Sequence, residues 1–243
     1  MSNIPRDGDG VDGPAHALRR RAEMAFVRSR STVQWAPLVP EIALNLAIDS
    51  HDIFADAERF SDGQAEYWPP YWAFAWPGGQ GLARHLLDNP DTVRGRRIVD
   101  IGSGSGIGAI AAAMAGASDV VAADTDPIAC AAIALNAADN GQRITTTTRD
   151  LLALAPDVDL VLIGDLVYEP ELATRVGAFL DAAARKGVAV LIGDRTTARR
   201  PPQAFDLVAE YLAPLIPEMH EMMQESARVW QLAGASRAQR RRS

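Results

Sequence analysis

From residue 96 onward, short apolar runs rich in β-branched residues alternate with helical stretches of 10–16 residues, and this rhythm restricts the fold more than any other feature. "RRIVDIG" (96–102) is the first run, and "IGAIAAAMAGA" (107–117) follows as a helix with Gly116 as its C-cap. "DVVAAD" (119–124) reads as a strand. "DPIACAAIALNAADNG" (126–141) reads as a helix, with Asp126 as N-cap, Pro127 at its first position and Gly141 past its end. "RITTTT" (143–148), "DVDLVLIGD" (157–165) and "GVAVLIGD" (187–194) are further strands. "PELATRVGAFLDAAAR" (170–185) and "PQAFDLVAEYL" (202–212) read as helices, and segments near 215–221 and 226–232 as a closing pair of strands. Apolar strands separated by helices require a mostly parallel sheet with helices on both faces. Right-handed crossovers make it doubly wound, so the expected class is α/β.

The front of the chain has a different texture. Residues 1–15 are rich in Gly, Asp and Pro and are expected to be disordered. Residues 16–66 read as a helical extension with short interruptions, "EIALNLAID" (41–49) among its helices. Six of the chain's 15 aromatic residues then fall within ten positions: Tyr67, Trp68, Tyr71, Trp72, Phe74 and Trp76. Pro69, Pro70 and Pro77 exclude one long amphipathic helix there. "GQGLARHLLDNP" follows as a short helix closed by Asn89-Pro90. Residues 235–243 form a basic tail.

Composition removes several functions. Cys130 is the single cysteine, so there is no internal disulfide, and His16, His51, His85 and His220 lack ligand spacing, so no metal site is expected. The net charge of −7 opposes nucleic-acid binding, and no apolar run is long enough to span a membrane. With no secretory h-region, and acids among the early arginines, the expected location is the cytoplasm.

The sharpest local signal is "IVDIGSGSGIGA", with Gly102, Gly104 and Gly106 directly after the first strand of the alternating unit. Glycines there let the backbone turn and approach a ligand, and the next helix offers free N–H groups. A dinucleotide fingerprint read from Gly102 fails at Ile107; read from Gly104 it passes at Ala109 but begins two residues late. Asp100 stands two residues before Gly102, where a carboxylate can help hold a cationic ligand end, and Asp124 ends the second strand, where it can accept from ribose hydroxyls. Ser103 in the loop and Thr125 beside Asp124 are grouped with them, while Asp126 competes with Asp124 but is better used as a cap. Asp165 and Tyr168 emerge at the carboxyl end of the fourth strand of the unit, the edge where open α/β sheets hold ligands. With Glu169 they make an acidic and phenolic group suited to a cationic acceptor such as lysine, although Glu169 also suits the first turn of a helix.

The D-x-G-x-G-x-G loop resembles that of S-adenosylmethionine-dependent methyltransferases of the seven-strand class, in which a residue placed like Asp150 contacts adenine. "PYWAFAWPGGQGLARHLLDNP", "VDIGSGSG", "ADTDPIA", "LIGDLVYEPELA" and "VLIGD" resemble, in order and spacing, the lysine methyltransferase family that modifies the β subunit of electron-transfer flavoprotein. The resemblance runs from about residue 60 to 232 and implies a Rossmann-like seven-strand methyltransferase sheet, with a methyltransferase domain over 67–234. It implies S-adenosylmethionine as cofactor, with Asp100, Gly102 and Gly104 in the cofactor loop, Trp76 lining its pocket and Asp124 on the ribose. Asp165 with Tyr168 becomes the motif of the acceptor site, and Asp165 also borders the cofactor. Ser105 departs mildly from the bulkier residue of relatives. The implied partner is a lysine-bearing protein, the flavoprotein β subunit first and ribosomal or other proteins after it, modified by a monomer. A small-molecule amine methyltransferase would share every cofactor feature; a non-catalytic binding module and a nicotinamide oxidoreductase are the other readings.

Overall fold

The computed structural model describes residues 13–61, 68–153, 156–195, 202–213 and 225–233. Seven strands form one sheet in the order β5-β4-β3-β6-β7-β9-β8. They are β3 (Arg97–Ile101), β4 (Asp119–Ala123), β5 (Thr145–Thr147), β6 (Leu160–Gly164), β7 (Ala189–Asp194), β8 (Phe205–Ala213) and β9 (Glu225–Leu232). The first five pair in parallel, β9 runs antiparallel to β7, and β8 antiparallel to β9.

Successive residues of the central strands serve opposite cores. Ile98, Val120, Leu160, Leu162 and Leu191 face α3 (Pro77–Asp88) and α4 (Ile107–Met114), meeting Leu82, Leu86 and Ile110. Val99, Val121, Val161, Ile163 and Val190 face α6 (Pro170–Lys186), meeting Val176, Phe179 and Leu180. Burial on both faces explains why these strands read as unbroken apolar runs. Helix α5 (Pro127–Asp139) is capped as its sequence implies, Asp126 accepting from the Ile128 N–H at 2.8 Å. Gly116 closes α4 with a positive φ of 95°. The chain leaves β3 toward β4 and β5, then returns to place β6 on the other side of β3. A crevice therefore opens above the carboxyl ends of β3 and β6.

Three expectations are corrected. The stretch 41–49 is not helical but lies mainly in β2 (Val39–Ala47), which forms a separate hairpin with β1 (Ser31–Ala36) between α1 (Pro14–Arg30) and α2 (Asp52–Phe60). Ile42, Leu44 and Leu46 are buried at period two, and that packing outweighs the helix preference of a Leu-, Ala- and Glu-rich segment. The stretch 202–212 is likewise an edge strand, β8, paired along β9, with a bulge between Leu207 and Ala209 that breaks its alternation. The closing pair is thus β8 with β9, and the segment 215–221 lies outside the described residues. Of the 1–15 stretch expected to be disordered, Pro14 and Ala15 already belong to α1; residues 1–12 and the tail from 234 lie outside the described residues.

The hairpin is fastened to α5 through side-chain amides. Asn140 accepts from Ala43 N–H at 2.9 Å and donates to its carbonyl at 2.7 Å, completing the β2 edge as a neighbouring strand would. Asn136, fully buried, accepts from Asn45 N–H at 2.7 Å and Asn45 Nδ2 at 2.9 Å. Its own Nδ2 donates to the Ser105 carbonyl in the glycine loop at 2.7 Å. Asn136→Ala would strand these buried partners, and urea unfolding should show a loss of about 2–4 kcal/mol. A loss below about 0.5 kcal/mol would mean that water replaces the amide.

Candidate active site

The glycine loop folds back onto the end of β4. Gly102 and Ser103 donate backbone N–H to the Ala123 carbonyl at 2.9 and 3.1 Å. Positive φ values of 65°, 54° and 83° at Gly102, Gly104 and Gly106 form the turn. Asp124 latches it, accepting from Gly104 N–H at 2.9 Å and from Asp126 N–H at 3.1 Å. Asp100 braces it from beneath, accepting from Ser103 Oγ at 2.6 Å and Ala109 N–H at 3.0 Å while 3% exposed. Burial, aided by the charge of Asp124, pushes the Asp100 carboxyl up to about 6. Burial and then Asp124 push Asp126 to about 7, and burial also raises Asp124.

One cavity of about 620 Å³ lies above this loop. Trp76, Gly102, Gly104, Asp124, Thr125, Asp150, Asp165, Tyr168 and Glu169 all line it. Asp100 and Ser103 do not; their side chains are spent on each other inside the loop. Both side chains brace the loop to which the sequence assigned them, Asp100 as a group that can act on a cationic ligand end directly or through water. Asp150, half-exposed, pairs with Arg175 and accepts from Leu152 N–H at 3.0 Å. Trp72 is 1% exposed and packs edge-on to Phe26, so part of the aromatic segment is core, while Trp68 lies in the cavity wall. Tyr67 lies outside the described residues.

At the other end of the cavity Asp165 takes a left-handed φ of 46°, rare for a residue with a side chain. Its N–H donates to the Gly193 carbonyl at 2.9 Å. Its Oδ2 accepts from Gly79 N–H at 2.9 Å, capping α3 from outside that helix. Its Oδ1 is buried and has no partner among the described residues. Burial pushes this carboxyl up to about 7, against the opposing effects of the Gly79 N–H and the Arg195 charge. The close approach depends on glycine: a Cβ on Gly193 would lie 2.1 Å from the Gly78 carbonyl oxygen.

Aromatic rings line the same cavity. Tyr71 meets Trp76 edge-on at 5.9 Å and Tyr168 at 5.3 Å, and Trp76 Nε1 donates to the Tyr71 carbonyl at 2.9 Å. Burial lifts the Tyr168 phenol to about 12, so it stays neutral and can donate a hydrogen bond. Glu169 stands at the N-cap of α6 without making a side-chain cap, leaving its carboxylate on the cavity rim. Tyr71 and Arg195 also line the cavity. Sequence spacing singled out neither for the site, although the aromatic cluster was a signal for Tyr71.

The loop fits an adenosyl group ending in a charged amino-acid moiety. The volume is in the range of small-molecule sites, the loop backbone faces it at Gly102 and Gly104, and Asp124 keeps acceptor capacity beyond its two backbone donors. Among the described residues, no cluster of His, Cys, Asp or Glu is placed to hold a metal, and no helix is long and apolar enough to cross a membrane.

The ribosomal protein L11 methyltransferase family model matches residues 84–167. The chain is 44% identical over 163 residues to the electron transfer flavoprotein beta subunit lysine methyltransferase of Rattus norvegicus, covering 65% of this chain and 61% of that protein. It is 40% identical over 176 residues to the Xenopus laevis protein of the same name, covering 70% and 69%. The chain thus spans about three fifths of the rat relative's length. The crystal structure of magnesium protoporphyrin IX methyltransferase from Synechocystis with bound SAM aligns with a TM-score of 0.50 at 16% identity, covering 77% of this chain and 99% of that one. That likeness concerns the fold alone.

The buried acids carry a testable pH signature. Folding lifts Asp126 from 3.8 to about 7, so between those values the folded protein keeps a proton that the unfolded chain releases. Stability therefore falls as pH rises through this window. Asp126→Asn keeps the cap and removes the ionisation. Denaturant titrations should find it more stable than the parent by roughly 1–3 kcal/mol near pH 8, with the gap closing near pH 4. A gap that does not vary with pH would refute the assignment.

Proposed function

The chain belongs to the electron transfer flavoprotein beta subunit lysine methyltransferase family, and from that premise we propose that it is an S-adenosylmethionine-dependent protein-lysine N-methyltransferase acting on the flavoprotein β subunit. The observation that carries the reading is Asp165: one oxygen is committed to the α3 N-terminus and the other is unpartnered, in a wall shared with Trp76 and Tyr168. The L11 methyltransferase match covers the loop and β6, so it supports the cofactor half of this reading rather than a ribosomal target. Residues 67–234 form the catalytic unit in this account, and α1, α2 and the β1–β2 hairpin pack against it. The net charge of −7 speaks for a protein acceptor over nucleic acid; we take the working form to be a cytoplasmic monomer.

S-adenosylmethionine, when bound, supplies an electrophilic methyl group on a sulfonium. The chain's own residues do the rest. Gly102, Gly104 and Asp124 would hold the nucleoside and amino-acid ends, with Asp150 serving the adenine and Trp76 walling the reacting region. A lysine side chain has an ordinary pKa of about 10.4 and arrives protonated. Asp165 and the neutral Tyr168 phenol receive and orient it, and the proton leaves through the open mouth to water. No histidine lines the cavity among the described residues, so positioning rather than a strong base carries the rate. The new carbon–nitrogen bond would replace the donor's carbon–sulfur bond, leaving a thioether.

The direct test is labelled methyl transfer to purified flavoprotein β subunit, with lysines read for one-methyl mass steps. Transfer to small amines but to no protein would overturn the protein-lysine reading. Asp165→Asn should lower kcat about 100-fold or more while S-adenosylhomocysteine binds within a few-fold of the parent. Asp124→Ala should weaken that ligand first. With burial pushing the Asp165 carboxyl up to about 7, kcat/KM should rise with pH through that value, and Asp165→Asn should lose this limb.

A further inference from the structure

Trp76 is held on several sides, by its indole bond to the Tyr71 carbonyl and by the rings of Tyr71 and Phe74. Over its ring lies the Arg195 guanidinium, 5.4 Å from the ring centroid. Arg195 follows the last residue of β7, and β7 lies beside β6, with Gly193 paired to Gly164 and bonded to Asp165 N–H. The guanidinium therefore shares the cavity with the Asp165 carboxyl and acts on it electrostatically. An aromatic face, a nearby carboxylate and an open side are also what an entering ammonium requires. Two cations cannot share that seat without strong repulsion.

We propose that Arg195 is a specificity-determining residue: it occupies the ammonium seat on Trp76 until the acceptor arrives, so that admission of an acceptor exchanges one cation for another. This rests on the amine-acceptor reading of the cavity. A free small amine brings little binding energy to displace the guanidinium. A lysine carried on a docked protein surface brings the energy of the whole interface. Discrimination against small amines is thus built into the site by a resident competitor rather than by pocket size.

The test is calorimetric binding of n-butylammonium, the lysine side chain alone, to the full chain saturated with S-adenosylhomocysteine, at a pH above 8 so that Asp165 is ionised. Arg195→Ala and Arg195→Gln should each bind it about fivefold or more tighter than the parent, and Arg195→Lys, which keeps a cation, should stay near the parent. Adding Trp76→Ala to Arg195→Ala should abolish the gain. Arg195 is exposed, and unchanged affinity for S-adenosylhomocysteine in each single Arg195 variant shows that the site is intact. Unchanged or weaker n-butylammonium binding in both neutral variants overturns the proposal, as does a gain that survives loss of Trp76. The two readings separate cleanly: a protein that exchanges cations on Trp76 but methylates no lysine defeats only the function proposed above. An active enzyme whose Arg195 variants gain nothing defeats only this inference.

Discussion

Asp165 serves two masters, and the site depends on the division. One oxygen accepts from the Gly79 N–H in the first turn of α3, a helix whose own N-cap, Trp76, supplies no side-chain acceptor. The other is left in the cavity wall. Capping from a strand end ties the aromatic segment, which enters α3, to the sheet edge where chemistry would occur. The backbone contact that permits it is glycine against glycine, Gly78 on Gly193, with Gly79 close to Gly164. A side chain at either of the first two would push the helix start away and separate the carboxyl from its donor.

The arrangement stores unfavourable energy at the site. Asp165 holds a left-handed backbone, typically a cost of about 1–3 kcal/mol, and its carboxyl resists ionisation in its buried place. Asp100, Asp124 and Asp126 gather around the glycine loop with their carboxyls raised by burial. Such a cluster lowers the stability of the ligand-free fold and offers compensation to a ligand carrying positive charge. A sulfonium donor of the kind proposed above would carry such charge and would meet that compensation.

Much of this was legible in the chain, for identifiable reasons. The central strands are buried on both faces, so apolar runs ending in Asp100, Asp124 and Asp165 mark both the sheet and its working edge. Asp126 caps α5 by a purely local rule. Strand β2 was hidden because its leucines and alanines suit a helix, and only packing against α4 and α5 selects the extended form. Strand β8 was hidden by its bulge. Asp100 could be placed at the loop, but not the capture of its oxygen by Ser103 and Ala109, which are three and nine residues onward. Asn136 gave no signal, being one amide in an alanine-rich helix. Arg195 gave none either, because its meaning comes from Trp76, far away in sequence.

The amide of Asn136 has an orientation dictated by its neighbours: its oxygen faces two donors of Asn45 and its nitrogen faces the Ser105 carbonyl. Turning it over would set donor against donor and carbonyl against carbonyl. Sliding β2 by one residue would instead carry Asn45 off the amide and turn Ile42, Leu44 and Leu46 to the opposite face. The alignment of the hairpin is therefore written in the helix beside it rather than in its own short turn. An error in that alignment would be felt at once in the glycine bend whose Ser105 carbonyl the same amide holds.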